Sequence, residues 1–236
     1  MEKNESLRSV MAWSVHFFTA SGICVLFLAL IAAVEMNIPK SFLYLCTATV
    51  IDAVDGTLSR VANVTTYGNK IDGGLLDNII DYAGFVLIPA FIVYQLEMIP
   101  GFWGLVACFV ILLSSCYQFC QVDAKTEDHY FRGFPSYWNI VVLYLFLYQT
   151  GPVFNFLILF LCAVLVFVPV KYVYPSRTRY HKKLMLGLTT VWGVGIFYVL
   201  FRGLEQMPVW FSLVSTVMLI VYVGASLMAT FRPDRV

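Results

Sequence analysis

The sequence carries little charge. Only 12% of its 236 residues are Asp, Glu, Lys or Arg, and 60% are hydrophobic. A soluble domain is roughly a quarter charged, so this composition excludes an ordinary soluble protein. The net charge of +1 gives no reason to expect a nucleic acid partner. The class that remains is a polytopic membrane protein.

Two further features are missing. No cleavable signal peptide is expected, because the first apolar run, residues 11–35, is long enough to be a full membrane span. The six cysteines lie in apolar runs and lack the spacing of a metal site. This pattern favours small buried hydrophobic residues over metal ligands.

Apolar segments dominate the chain. A membrane-spanning helix needs about 20 such residues, and eight candidates reach or approach that length. They cover residues 11–35, 39–60, 73–95, 100–121, 135–150, 152–173, 183–202 and 208–231. The stretch 1–10 is typical of a short interfacial helix. The sequence therefore predicts an all-α fold of about eight transmembrane helices in one domain, residues 1–236, with a short N-terminal interfacial helix.

The basic residues are distributed unequally between the two sides of the predicted membrane. Eight spans place 13 of the 15 Lys and Arg residues on the side that holds both termini, and only Lys40 and Arg202 on the other. Cytoplasmic loops carry such an excess. We therefore expect both termini and the acidic segment 52–81 on the cytoplasmic side.

Four carboxylates lie at the adjoining ends of the second and third spans. Asp52 and Asp55 are three residues apart, and Asp77 and Asp81 are four apart, so each pair shares a helix face. Acids this deep in apolar helices usually face a partner, a metal or water. Oxygen ligands favour Mg²⁺ or Mn²⁺, and two ions would relieve the repulsion between the acids and suit phosphoryl transfer.

Other residues near these acids suit a phosphorylated substrate. Gly56 and Gly73 would let a substrate approach the backbone closely, and Arg60 offers a fixed cationic fork to phosphate. Asp72 is expected only to cap the third span. An alternative from another class is a cation transporter that uses the membrane aspartates as its pathway.

The acidic segment resembles the motif of the CDP-alcohol phosphotransferase family, D-x-x-D-G-x-x-A-R followed by G-x-x-x-D-x-x-x-D. The matching positions are Asp52, Asp55, Gly56, Arg60, Gly73, Asp77 and Asp81. Ser59 stands where the family usually has alanine, and twelve residues separate Arg60 from Gly73 instead of the usual eight. The longer spacing, the segment 133–139 and the eight spans are similar to bacterial members that use choline as acceptor.

The resemblance implies a reaction and a setting. A phosphatidyl group would pass from CDP-diacylglycerol to choline, with release of CMP, at the cytoplasmic face of a bacterial inner membrane. Asp52, Asp55, Asp77 and Asp81 would hold the divalent ions, and Asp81 would also act as the general base. Related enzymes suggest a homodimer. The nearest alternative keeps this chemistry with serine, inositol or glycerol phosphate as the acceptor.

The expected nucleotide contacts involve two spans. His16 and Thr19 lie where related enzymes carry an Asn-x-x-Thr element near the nucleotide. With them, Gly56, Arg60 and Gly73 are expected to contact the CDP group.

The remaining candidates concern the lipid and the acceptor. Arg177 and Arg179 are expected to bind the donor phosphate, although a positive-inside loop explains them equally. Choline cannot donate a hydrogen bond from its nitrogen and is usually held by aromatic faces. The candidates for this site are Asn78, Tyr82, Tyr130, Tyr137 and Trp138, with Asn139 close by. The charged loop 123–129 is expected to be a solvated connection or a cover for that site.

Overall fold

A computed structural model describes residues 2–174, 182–204 and 207–231 of the chain. Most of these residues are helical. The helices are α1 Glu2–Val34, α2 Ile38–Val61, α3 Val64–Tyr67, α4 Gly73–Tyr82, a π-helical segment Ala83–Leu87, α5 Ile88–Gln95, α6 Phe102–Cys120, α7 Trp138–Leu147, α8 Pro152–Val166, α9 Lys182–Phe201 and α10 Val209–Phe231. Two short strands are present, β1 Tyr130–Arg132 and β2 Lys171–Val173.

The predicted class, a helical polytopic membrane protein, is confirmed. Within the described residues, six helices are long and apolar enough to cross a membrane: Glu5–Val34, Ile38–Val61, Gly73–Gln95, Phe102–Cys120, Lys183–Phe201 and Val209–Phe231. The predicted fifth and sixth spans are represented by the shorter apolar helices Trp138–Leu147 and Pro152–Val166. Eight full-length spans are therefore not established, and the sidedness of the termini stays a prediction.

Two details of the predicted fold need correction. The stretch 1–10 was expected to be a separate interfacial helix, but α1 runs without a break from Glu2. Its N-terminal part is held by contacts to a later loop, where Arg8 Nη1 donates a hydrogen bond to Tyr67 Oη at 2.6 Å. The fold is also not purely helical, because β1 and β2 pair antiparallel with Tyr130 opposite Val173.

The strands and a tight turn explain why the fifth and sixth helices are short. Gly133 follows β1 with a φ of 76°, and its amide donates to the Val170 carbonyl oxygen at 2.9 Å. A β-carbon at Gly133 would lie 2.1 Å from the carbonyl oxygen of Val166, so only glycine fits against the end of α8. Residues that were expected to continue the two spans are used to build this junction.

The third span is interrupted by the π-helical segment Ala83–Leu87. Pro89 lies two residues after this segment. A proline ring clashes with the carbonyl group of the residue four positions earlier, here Phe85, and has no amide hydrogen to donate to it. A local widening of the helix accommodates this defect. Gly84 meanwhile lets the helix approach α1, because a β-carbon there would lie 3.0 Å from Leu26.

The main core lies between α1, α2, the third span, α6, α7 and α8, and the facing parts of α9 and α10 also contribute to it. Phe42, Trp138 and Phe211 are among the largest fully buried side chains. Ser41 in α2 donates to the Ala29 carbonyl oxygen in α1 at 2.8 Å, which joins these two helices. Many apolar residues on the outer helix faces are exposed, as expected where lipid is the solvent. This packing fixes the relative position of α1, α2 and α4, which carry the candidate site.

Candidate active site

Three carboxylates converge at the adjoining ends of α2 and α4. One oxygen from each of Asp52, Asp55 and Asp77 can be chosen so that all three lie within 4.8 Å of one another. Asp55 is buried and the other two are partly buried. Asp52 and Asp55 come together because residues three apart on a helix share a face, and Asp77 reaches them from α4. Three acids this close form a set of oxygen ligands suited to a divalent cation.

Asp81 lies one helical turn further along α4. It is not a member of the compact three-acid group found among the described residues. Its carboxyl group nevertheless interacts electrostatically with Asp52, Asp55 and Asp77. The structure therefore separates three close carboxylates from a fourth that stands beside them.

A cation from another part of the chain also reaches this region. Lys125, in the loop after α6, interacts electrostatically with both Asp52 and Asp81. The sequence suggested only a solvated connection or a cover for this loop. No periodicity could have placed Lys125 near the acids, because its position depends on contacts far away in the chain.

The Lys125 loop is braced by exposed ion pairs. Arg132 pairs with Asp123, and Lys171 Nζ donates to Asp128 Oδ2 at 2.6 Å. Partial burial tends to raise the pKa of Asp128, but hydrogen bonds from Lys171 and Thr126 outweigh it and hold that pKa below its usual value. These contacts tie the loop to strand β2.

The unusual twelve-residue spacing between Arg60 and Gly73 folds as a short docked helix. Helix α3 packs on α1, where Val64 and Ala62 form a small apolar cluster with Ala12. The hydroxyl of Ser9 donates to the Tyr67 carbonyl oxygen at 3.3 Å. The extra residues therefore bind the N-terminal part of α1 to the loop that leads into the acidic helix α4.

His16 belongs to this junction. It is 5% exposed, and its Nε2 lies 3.0 Å from the carbonyl oxygen of Gly68, which can only accept. A β-carbon at Gly73 would lie 3.3 Å from His16 Cε1, so the imidazole also abuts the first residue of α4. The structure gives His16 a role in holding the loop, and its predicted nucleotide contact stays a prediction.

The other predicted nucleotide residues border the acids. Thr19 on α1 is close enough to hydrogen-bond to the Asp55 carboxyl group. Arg60 is exposed, and its Nη2 donates to Thr57 Oγ1 at 3.1 Å. Gly56 lies next to this guanidinium, since a β-carbon there would be 4.0 Å from Arg60 Nη1. Together these residues form an accessible rim beside the buried Asp55.

Asp72 has the role predicted for it. Its side chain accepts a hydrogen bond from the Leu75 amide at 3.0 Å, as the N-cap of α4.

Three of the predicted choline residues are engaged elsewhere. Trp138 is fully buried, and its Nε1 donates to Ser115 Oγ at 2.7 Å. Tyr130 is 4% exposed, and Lys171 Nζ lies 5.6 Å from its ring centre. Tyr82 donates to the Leu112 carbonyl oxygen at 3.0 Å. Their placement gives no support to a contact with choline.

The remaining predicted residues differ in position. Tyr137 packs against Phe85, with ring centres 5.9 Å apart, and Phe85 lies one helical turn after Asp81. Asn78 is partly buried and lies three residues before Asp81, so it shares a face of α4 with that acid. Asn139 is buried near the start of α7. The two arginines predicted to bind the donor phosphate, Arg177 and Arg179, lie outside the described residues.

Known proteins resemble this chain over most of its length, including the segment that carries the three acids. A family model described as CDP-alcohol phosphatidyltransferase matches residues 15–170. A phosphatidylcholine synthase of Legionella pneumophila is 41% identical over 209 residues, covering 86% of this chain and 82% of its own. Phosphatidylcholine synthases of Borreliella burgdorferi and Rhizobium meliloti are each 37% identical. The former match covers 79% of this chain and 80% of the relative, and the latter covers 84% and 83%.

Proposed function

Because this chain belongs to the CDP-alcohol phosphatidyltransferase family, we propose that it transfers the phosphatidyl group of CDP-diacylglycerol to choline, giving phosphatidylcholine and CMP. The structural observation that carries the proposal is the convergence of Asp52, Asp55 and Asp77 within 4.8 Å. Three acids in apolar helices need compensating charge, and an anionic nucleotide substrate cannot supply it.

The three carboxylates fit the family's dependence on a divalent metal. They offer oxygen ligands only, which Mg²⁺ and Mn²⁺ prefer over the softer donor sets of zinc and copper. Asp52, Asp55 and Asp77 would hold the metal, with Asp81 beside them. A divalent cation bound there supplies positive charge that neutralises the pyrophosphate and the departing CMP. We propose that two Mn²⁺ or Mg²⁺ ions bind, and metal titration of the purified protein tests this number.

Side chains of the protein would then support proton removal and phosphatidyl transfer. Asp81 takes the proton of the choline hydroxyl as general base. The choline oxygen then forms a bond to the phosphorus that carries diacylglycerol. The bond from that phosphorus to the CMP oxygen breaks, and CMP leaves with the electron pair. The attack is direct and forms no covalent enzyme intermediate.

Other side chains would orient the substrates. Thr19 would keep the Asp55 carboxyl group in place. Arg60 and the backbone at Gly56 would receive the nucleotide phosphates. Arg177 and Arg179 would contact the phosphate of the donor lipid. The acyl chains stay in the bilayer while the headgroup enters from the cytoplasmic face of a bacterial inner membrane. We also propose that the protein forms a homodimer.

The test supplies purified protein with CDP-diacylglycerol and labelled choline, and separate samples with serine, inositol or glycerol phosphate. We expect phosphatidylcholine and CMP in equal amounts, and little lipid product with the other acceptors. A preferred product from another alcohol would overturn the choice of choline. Cation uptake into vesicles without nucleotide, and no lipid product, would instead favour a transporter.

A further inference from the structure

We propose that an aromatic cage, formed by Phe85, Phe131, Tyr137, Tyr174 and Tyr222, holds the trimethylammonium group of choline. This inference rests on the proposed function and adds the part of the site that recognises the acceptor. Three of its rings come from segments far apart in the chain: the π-helical part of the third span, strand β1 and the turn before α7. The two others follow β2 and lie on α10.

Tyr137 is the centre of the cage. Its ring centre lies 5.9 Å from that of Phe85 and 6.0 Å from that of Phe131, with interplanar angles of 64° and 83°. Phe131 in turn stacks on Tyr174 with ring centres 4.7 Å apart. Tyr222 interacts electrostatically with Tyr137 from the side of α10. Rings at large mutual angles present faces in several directions, which suits a nearly spherical cation.

The cage lies beside the acid proposed to deprotonate the acceptor. Tyr137 interacts electrostatically with Asp81 and Asp52, and Phe85 follows Asp81 by one turn in the third span. Choline carries its hydroxyl and its nitrogen on adjacent carbon atoms. A hydroxyl placed at Asp81 therefore brings the trimethylammonium group to the neighbouring rings.

The accessibility of the rings favours a binding role over simple packing. Phe85, Phe131, Tyr137 and Tyr174 all keep part of their surface exposed, whereas Trp138 in the adjacent core is fully buried. Tyr222 Oη is buried and has no hydrogen-bond partner among the residues that the structure describes. A quaternary ammonium donates no N–H hydrogen bond and is recognised by ring faces and nearby electron-rich atoms, which this cluster provides.

The test compares choline with its uncharged isostere 3,3-dimethyl-1-butanol, in which carbon replaces the nitrogen. For Tyr137→Leu and Phe131→Leu we expect the KM for choline to rise about tenfold or more, because each variant loses an aromatic face that would contact the cation. The KM for CDP-diacylglycerol should stay the same. The preference of the site for choline over the isostere should fall by a similar factor. Tyr137→Trp, which keeps an aromatic face, should retain that preference.

Tyr94→Leu is the matched control, because Tyr94 is an exposed tyrosine at the far end of the third span. It should leave both KM values unchanged. A packing role would lower thermal stability without changing the choline-to-isostere preference, and that result would overturn the cage. If the wild-type protein makes phosphatidylcholine but the Leu variants keep their KM for choline, only the cage is wrong. If the wild-type protein does not use choline, the proposed function itself fails.

Discussion

The two sides of the site are held by different means. The donor side, α1 to α4, is joined by helix packing and buried contacts such as His16 to Gly68. The acceptor side, residues 121–137 with β2, is joined by aromatic rings and exposed ion pairs. Reaction chemistry requires fixed geometry, whereas a spherical cation can be held by several adaptable ring faces. Changes on the donor side should therefore reduce turnover with every acceptor, and changes on the acceptor side should mainly alter choline affinity.

The largest expected effect comes from removing one of the converging acids. We expect Asp55→Ala, Asp77→Ala and Asp81→Ala each to lower kcat by about 10²–10³-fold or more, because each removes charge stabilisation or the general base from the reacting centre. The measurement is CMP release by purified protein with saturating choline. Membrane abundance should stay near that of the wild type.

Asp72→Asn is the matched control for these acids. Asp72 lies at the start of the same helix, but it only caps the Leu75 amide, and an asparagine oxygen can also accept that hydrogen bond. Its activity should stay within a few-fold of the wild type. Vigorous turnover by any of the three alanine variants would contradict the division of the site into donor and acceptor sides.

Removal of the metal should lower turnover as much as the alanine substitutions do, but the loss should be reversible. EDTA should abolish turnover with choline, because three carboxylates within 4.8 Å cannot bind an anionic donor without compensating charge. Addition of Mn²⁺ or Mg²⁺ in excess should restore it. Asp77→Ala protein should not recover under the same conditions. Full activity after exhaustive chelation, verified by metal analysis, would show that the acids act in another way.

A smaller effect is expected at the contact that supports the donor side. His16→Ala leaves the Gly68 carbonyl oxygen without its partner, which costs about 1–3 kcal/mol of folding free energy. Turnover should fall about tenfold, since the imidazole also abuts Gly73, where α4 begins. Thermal unfolding and steady-state kinetics provide the measurement.

The kinetics of this variant also separate two roles for His16. A purely structural role lowers kcat and thermal stability with little change in the KM for CDP-diacylglycerol. A nucleotide contact would raise that KM. Ser14→Ala on the same helix is the control, because Ser14 is exposed and its hydroxyl donates to the Val10 carbonyl oxygen within its own helix.

The donor side was largely predictable from the sequence because helix geometry is local. Residues three or four apart on a helix share a face, so the pairing of the acids follows once the spans are placed. The cap at Asp72 follows from the same local logic. The continuity of α1 from Glu2 through residue 10 was not predictable in this way, because it depends on contacts such as that of Arg8 with Tyr67, 59 residues away.

The acceptor side was less predictable for the same physical reason. The chain has 39 aromatic residues, the sum of 20 Phe, 5 Trp and 14 Tyr, and no local pattern shows which of them meet. Proximity to the membrane surface suggested Trp138 and Tyr130, which the fold buries. No local pattern indicates Phe85 and Phe131, because they approach Tyr137 only once β1 has paired with β2 and packed near the third span.

The smallest expected effect tests how firmly the acceptor side is held. Asp128→Asn removes the ion pair to Lys171 in β2, and because Asp128 is largely solvated this should cost less than about 1 kcal/mol. The pKa of Asp128 is lowered in the folded protein, so the ion pair stabilises the fold above the ordinary carboxyl pKa range. This stabilisation is lost as the pH falls through the lowered pKa. Wild-type and variant proteins should therefore differ slightly in thermal stability at neutral pH and converge in acid.

Glu127→Gln in the same loop should show no such convergence. A large rise in the choline KM of Asp128→Asn, beyond about threefold, would mean that the ion pair, and not the ring contacts, holds the acceptor side in place.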